Sequence, residues 1–212
     1  MVRTFVAVEL PVEVRDEVGR TQREMQHLAR MRYLPLGNSL KWVAPESIHL
    51  TLKFLGDVPE DALAGIGRAL LSVVVGRSAV RLALAERGAF PNARSPRVLW
   101  IGLTGDLTAL ADLQHRVEQE LGLLGFAPDN HGFSPHLTLA RVREQASPSE
   151  RRAVAELLAQ APASQALAFA SAHVSLIKSE LRPTGALYQT LTTAVLQSVL
   201  QPTADSPEAL CP

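Results

Sequence analysis

The sequence predicts an α+β fold of two pseudo-symmetric lobes, each an antiparallel or mixed β-sheet backed by helices, with a cleft between them. Three observations predict it. Strand-like and helix-like segments alternate, but without the uniform strand–helix rhythm of a doubly wound parallel sheet. No glycine-rich phosphate loop follows a strand. One short pattern, His-Leu-Thr-Leu, occurs twice, at residues 49–52 and 136–139, in corresponding positions of the two halves.

Taken in order, residues 5–10 form a β-rich run that ends at Pro11, a first strand expected in the middle of a sheet. From Pro11 to about Arg32, Val12, Val14, Val18, Met25 and Leu28 fall at helical spacing. A polar connection with Pro35, Gly37 and Asn38 follows. Residues 48–55 alternate: Ile48, Leu50 and Leu52 face one way, His49, Thr51 and Lys53 the other, with Gly56-Asp57 as the end. A helix is predicted over 59–75, strands over 80–87 and 97–103 around a Pro91/Pro96 loop, and a helix over 106–123. After a loop over 125–135 comes a strand over 136–142. Ser147 as N-cap, Pro148 at the first helical position and Glu150 in the first turn open a helix to Gln160. Residues 166–178 read as one closing strand and 186–196 as either a strand or a helix.

With 47% hydrophobic residues the chain can bury a sizeable core, and residues 1–200 read as a single bilobal unit. The stretch 201–212, with Pro202, Pro207 and Pro212, reads as a flexible C-terminal tail. The chain's 21 basic and 21 acidic residues cancel, which argues against a long nucleic-acid groove and for a small site gripping one end. Cys211 is the single cysteine, so no internal disulfide and no cysteine-based zinc site can form. The apolar run at the start is too short for a signal peptide and is interrupted by Glu9, and no window spans a bilayer. A cytoplasmic protein is expected, and a monomer.

The repeated pattern carries the chemistry. Side chains at i and i+2 of a strand share a face with roots about 7 Å apart, so His49 and Thr51 converge on one small group. Under pseudo-twofold packing His136 and Thr138 reach that group from the other side. Two imidazoles and two hydroxyls around an anion-sized gap suit a phosphoryl group, one imidazole taking a proton and the other giving one. Arg141, five residues after His136, has the opposite strand parity; a bulge or a change of twist would bring its guanidinium to the same pocket.

With these segments the sequence resembles the two-histidine (2H) phosphoesterase superfamily, in its RNA 2′,3′-cyclic phosphodiesterase branch, formerly described as 2′-5′ RNA ligase. The matching stretches are Arg3 to Pro11, His49-Leu50-Thr51-Leu52-Lys53-Phe54-Leu55-Gly56, Arg97 to Gly102, Phe133 to Val142 and Ser179 to Tyr188. The resemblance implies hydrolysis of RNA 3′ ends or nucleotides bearing a 2′,3′-cyclic phosphate to a 2′-phosphate, without metal or cofactor. It implies that His49 protonates the departing ribose 3′-oxygen as general acid and His136 activates water as general base. Thr51, Thr138 and Arg141 would bind phosphoryl oxygens and Phe54 would stack on the terminal base. The loop 129–132 carries His131 where this branch often has an arginine, which separates it from the pattern there.

Simpler readings stand beside these. A lone histidine is structural or merely exposed more often than catalytic, and it is the matched pair with threonines that reverses this. A zinc site would need three or four ligands, and His27, His115 and His173 lack matching patterns. Phe54 is either core, by its parity with Leu50 and Leu52, or a base platform. Lys53 is either solvent-exposed or a phosphate contact, and Arg143 reads as a solvated strand-end charge. Tyr188 and Ser179 rest on the resemblance alone. Reversible 2′-5′ ligation, a small cyclic nucleotide as substrate, and a non-catalytic RNA-end binder are the alternative functions.

Overall fold

In a computed structural model, the structure describes residues 1–129, 132–162, 165–182 and 185–197. The chain runs β1 (Val2–Val8), α1 (Val12–Met31), β2 (Leu40–Trp42), a 3₁₀ turn (Pro45–Ser47) and β3 (Leu50–Val58). It continues with a second 3₁₀ turn (Glu60–Ala62), α2 (Leu63–Val74), β4 (Val80–Phe90), β5 (Val98–Gly105) and α3 (Leu107–Gly122). It closes with β6 (His136–Val142), α4 (Pro148–Gln160), β7 (Ala168–Ser171), β8 (His173–Arg182) and β9 (Gly185–Val195). His131 and the tail 201–212 lie outside the described residues.

Two sheets form, ordered β3-β1-β8-β9 and β2-β6-β5-β4-β7. Every ladder is antiparallel. The α+β, two-lobed reading therefore holds, with each sheet drawing strands from both halves of the chain. α2 and α3 pack together, α2 against β8 and β9 and α3 against β3, while α1 packs beside α4. One apolar cluster runs through both sheets, including Val6 and Leu50 of the first and Leu99 and Leu137 of the second. Each such side chain, fully buried, contributes about 1.5–3 kcal/mol.

Four sequence expectations are corrected. The segment 166–178 is not one strand: it breaks at Ala172, so β7 pairs with β4 in one sheet and β8 with β1 in the other. Alternating apolar and small residues run through the break, so the pattern carries no mark of a change of sheet. The connection after α1 contains β2, an edge strand too short to register as a period-2 pattern. Gly56 does not end β3. It sits at φ 72° beside a register shift against β1, a bulge that bends the strand without stopping it. Ser147 does cap α4 as expected: its hydroxyl accepts from the Glu150 amide, and the Glu150 carboxylate accepts from the Ser147 amide.

Lys53 is the fourth correction. It is neither exposed nor a phosphate contact: it is 3% exposed, and its ammonium donates to Glu118 of α3 at 2.5 Å and to the Ala127 carbonyl at 2.7 Å. A bulge at Leu52 turns it away from the histidine face. This ion pair ties β3 to α3. Lys53→Ala should lower unfolding stability by about 3–5 kcal/mol, because Glu118 is left charged and half-enclosed without its partner. The paired change Lys53→Met with Glu118→Leu should recover most of that loss. Denaturant midpoints check it; a loss in Lys53→Ala under about 1 kcal/mol would show that the pair behaves as a surface one.

No helix among the described residues is long and apolar enough to cross a membrane. Among those residues no three His, Cys, Asp or Glu side chains are grouped so as to hold a metal ion.

Candidate active site

The same local device sets each histidine. His49 lies between the turn Pro45–Ser47 and β3, and its Nδ1–H donates to the Ser47 carbonyl at 2.9 Å. His136 opens β6, and its Nδ1–H donates to the Ser134 carbonyl at 2.7 Å. A carbonyl oxygen only accepts, so each neutral ring carries its hydrogen on Nδ1 and leaves Nε2 with the lone pair. The repeat thus reaches two residues further back, to Ser47-Ile48-His49 and Ser134-Pro135-His136, a signal present in the sequence that the spacing argument did not use.

Beyond the threonines, both strands bulge at the same place. Against β1, Ala7 pairs with Thr51 and Val6 with Lys53, so Leu52 is the extra residue. Against β5, Trp100 pairs with Thr138 and Leu99 with Ala140, so Leu139 is the extra residue. Each inserted leucine reverses the alternation beyond it. Lys53 therefore turns to the core side, and Phe54 joins the face of His49 and Thr51, where it is 64% exposed. Phe54 is not core, and its parity misled for this reason. Arg141 joins the face of His136 and Thr138 by the same step and is exposed. A helix glutamine reaches each bulge carbonyl. Gln22 of α1 donates to Leu139 O at 2.9 Å and Val43 O at 2.7 Å. Gln114 of α3 donates to Leu52 O at 3.4 Å and to Glu118 at 3.2 Å.

Aromatic rings wall both imidazoles. His49 stacks on Phe5 at 4.4 Å and meets Tyr188 edge-on at 5.1 Å. His136 meets Phe90 edge-on at 4.9 Å, with Trp100 at 6.5 Å. Gly88 makes room for Trp100: a Cβ there would lie 2.2 Å from the indole. Sequence reasoning did not assign Phe5, Phe90 or Trp100 to the site, because which strands neighbour β3 and β6 is a tertiary fact.

Burial by these walls is the main cause that pushes the His49 imidazole down to about 4; its bond to Ser47 opposes this, and the nearby Arg141 and His136 charges add to the depression. His136 is lowered too, first by burial, with its bond to Ser134 opposing and Arg141 contributing. Burial raises the Tyr188 phenol, against the pull of Arg141 and Arg3. Both imidazoles are thus neutral at pH 7, and His49 lies within electrostatic reach of both His136 and Arg141.

A cavity of about 580 Å³ opens between the sheets, lined among others by Phe5, Phe54 and Tyr188 from one and by Lys41, Trp42 and Arg141 from the other. Ser179 also lines it. The histidines are not on its lining; His49 backs it through Phe5 and Tyr188. Thr51 and Thr138 are half-buried, and neither hydroxyl has a hydrogen-bond partner among the described residues. Of the six predicted site residues, Phe54 and Arg141 line the cavity; His49 and Thr51 share the strand face of Phe54, and His136 and Thr138 share that of Arg141. Two imidazoles with free Nε2 atoms and a guanidinium whose charge reaches both are the groups that proton transfer at an anion requires.

The sequence profile described as LigT like Phosphoesterase matches the chain twice, over residues 8–100 and 101–188. The RNA 2′,3′-cyclic phosphodiesterase of Methanothermobacter thermautotrophicus is 34% identical over 187 residues, 88% of this chain and 95% of that protein. Among solved structures, TT0787 of Thermus thermophilus matches with a TM-score of 0.70 at 28% identity, over 92% of this chain and 98% of that one. Escherichia coli LigT complexed with 3′-AMP shares the fold with a TM-score of 0.67 at 23% identity, over 92% and 98% of the two chains.

The depressed imidazoles make two checkable statements. Followed by NMR, the His49 ring should titrate near pH 4 in the free protein, and its midpoint should rise when inorganic phosphate is added, since an anion offsets Arg141. A folded value below the unfolded one, about 6.5, means that unfolding takes up a proton between those pH values. Stability should therefore be undiminished above pH 6.5 and fall as pH drops toward 4, by on the order of 3 kcal/mol from His49 alone. A His49 midpoint at or above 6.5 without added anion would contradict both statements.

Proposed function

This chain belongs to the LigT-like phosphoesterase family of the two-histidine superfamily, and on that footing we propose that it hydrolyses 2′,3′-cyclic phosphates at RNA or nucleotide ends to 2′-phosphates. The observation that carries the reading is the matched pair of arms. Each presents a histidine with Nδ1 tied to a backbone carbonyl and Nε2 free, followed by a threonine on the same face. A curated relative of nearly the same length carries the name of that activity.

In the proposed step the oxygen of a water bonds to phosphorus while the bond from phosphorus to the ribose 3′-oxygen breaks. His136 Nε2 takes the water's proton, and protonated His49 gives its Nε2 proton to the departing oxygen. Thr51 and Thr138 donate to the phosphoryl oxygens, and Arg141 offsets the charge that builds on them. Phe54 offers an exposed ring on which the terminal base stacks. No metal takes part in this reading. Because burial above all holds His49 neutral in the free protein, the acid forms with the complex: the bound phosphate anion attracts a charge on the ring and offsets Arg141's repulsion, and a proton is taken up as substrate binds.

Ligation to a 2′-5′ linkage uses the same groups with a 5′-hydroxyl in place of water, and product analysis distinguishes it. A non-catalytic binder needs the anion pocket but no pair of proton-transfer groups. On an oligonucleotide ending in a 2′,3′-cyclic phosphate, with EDTA present, the wild type should yield a 2′-phosphate end. His49→Ala and His136→Ala should each lose at least about 10²-fold in rate. Arg141→Ala should lose about 10²-fold and bind the oligonucleotide more weakly. Binding with the ring left closed would establish the binder, and activity abolished by EDTA would establish a metal enzyme.

A further inference from the structure

One cation at the scissile phosphate is supplied by Arg141, yet the cleft holds more positive charge than one phosphoryl group needs. Its cavity is also lined by Arg3 and Lys41 and, among the described residues, by no acidic side chain, in a chain whose basic and acidic residues cancel at 21 each. Lys41 stands directly opposite Arg141 in the β2–β6 ladder. Directly opposed residues of an antiparallel pair have their roots about 5 Å apart, and like charges so placed repel. Both side chains are exposed, and neither has an ion-pair partner among the described residues. Arg3, on the other wall, faces Asp57 across the β1–β3 ladder without an ion pair. Two adjacent cations, open to the same cavity, match two adjacent anions.

We propose that Lys41 forms a second phosphate subsite, which takes the 5′-phosphate of the terminal nucleotide while Arg141 serves the cyclic phosphate. That 5′-phosphate is the linkage joining an end to the rest of an RNA strand. The cleft thereby selects RNA ends over free nucleoside 2′,3′-cyclic phosphates, which carry a 5′-hydroxyl and offer Lys41 nothing. The inference rests on the function proposed above and names its substrate class. A second cavity touching Arg141, of about 530 Å³, contains Arg97 and Arg151 but also Glu144. Arg151 is committed to the carbonyls of Arg143, Glu144 and Ala146. Arg97 is likewise without an ion pair among the described residues, but it shares its cavity with Glu144, whereas the cavity of Lys41 has no acidic side chain among its described lining.

The test compares kcat/KM on three substrates with one base: the nucleoside 2′,3′-cyclic phosphate, its 5′-phosphorylated form, and a dinucleotide ending in the cyclic phosphate. The wild type should prefer the second and third over the first by at least about tenfold, as expected of a charged hydrogen bond to phosphate. Lys41→Gln should lose most of that preference, Lys41→Arg should keep it, and so should Arg97→Gln. Equal kcat/KM on all three substrates in the wild type, or an undiminished preference in Lys41→Gln, overturns the subsite while leaving the proposed activity standing. If the wild type opens none of the three, the proposed activity falls and the subsite with it.

Discussion

A β-strand alternates faces residue by residue, so one inserted residue reverses every side chain beyond it, and the candidate site is built on two such insertions. Without Leu52 as an extra residue, Phe54 would point into the core with Leu50, and Lys53 would stand beside His49. Without Leu139 as an extra residue, Arg141 would leave the face of His136. The bulges cost ladder hydrogen bonds, and Gln22 and Gln114 answer that cost by donating to the two displaced carbonyls. A polar side chain from a helix on each lobe thus holds the geometry of a strand that carries chemistry.

These ties explain why helices and sheets are exchanged along the chain. α1 leaves the sheet of β1 and reaches β6 with Gln22; α3 leaves the sheet of β5 and reaches β3 with Gln114 and Glu118. Each lobe is assembled from both halves, so neither His-x-Thr arm is set by its own half alone. The buried Lys53–Glu118 pair belongs to this scheme. As a net contributor to stability a buried pair is often neutral beside an apolar alternative, but it anchors the bulged strand to one helix in one register.

The electrostatics of the site follow from its walls. Phe5 and Tyr188 on one side, Phe90 and Trp100 on the other, withhold water from the imidazoles and keep them neutral. Arg141 adds repulsion toward a second cation. In this environment a proton on His49 is unfavourable until an anion arrives, so under the proposed mechanism protonation of His49 and binding of the substrate anion are coupled.

The two His-Leu-Thr-Leu copies, their strand character and the helices around them were legible in the amino-acid order, because periodicity and capping are local. So was the pairing of imidazole with hydroxyl on one face, since it needs only residues i and i+2. The exposure of Phe54, the burial of Lys53 and the arrival of Arg141 on the face of His136 were not, because parity counts residues and a bulge is set by the partner strand and by helices far along the chain. Nor was Lys41 beside Arg141, since β2 is three residues long and gains its meaning from β6. Local sequence determined which groups each arm carries; tertiary contact decided which way they face, how dry they are and which charges surround them.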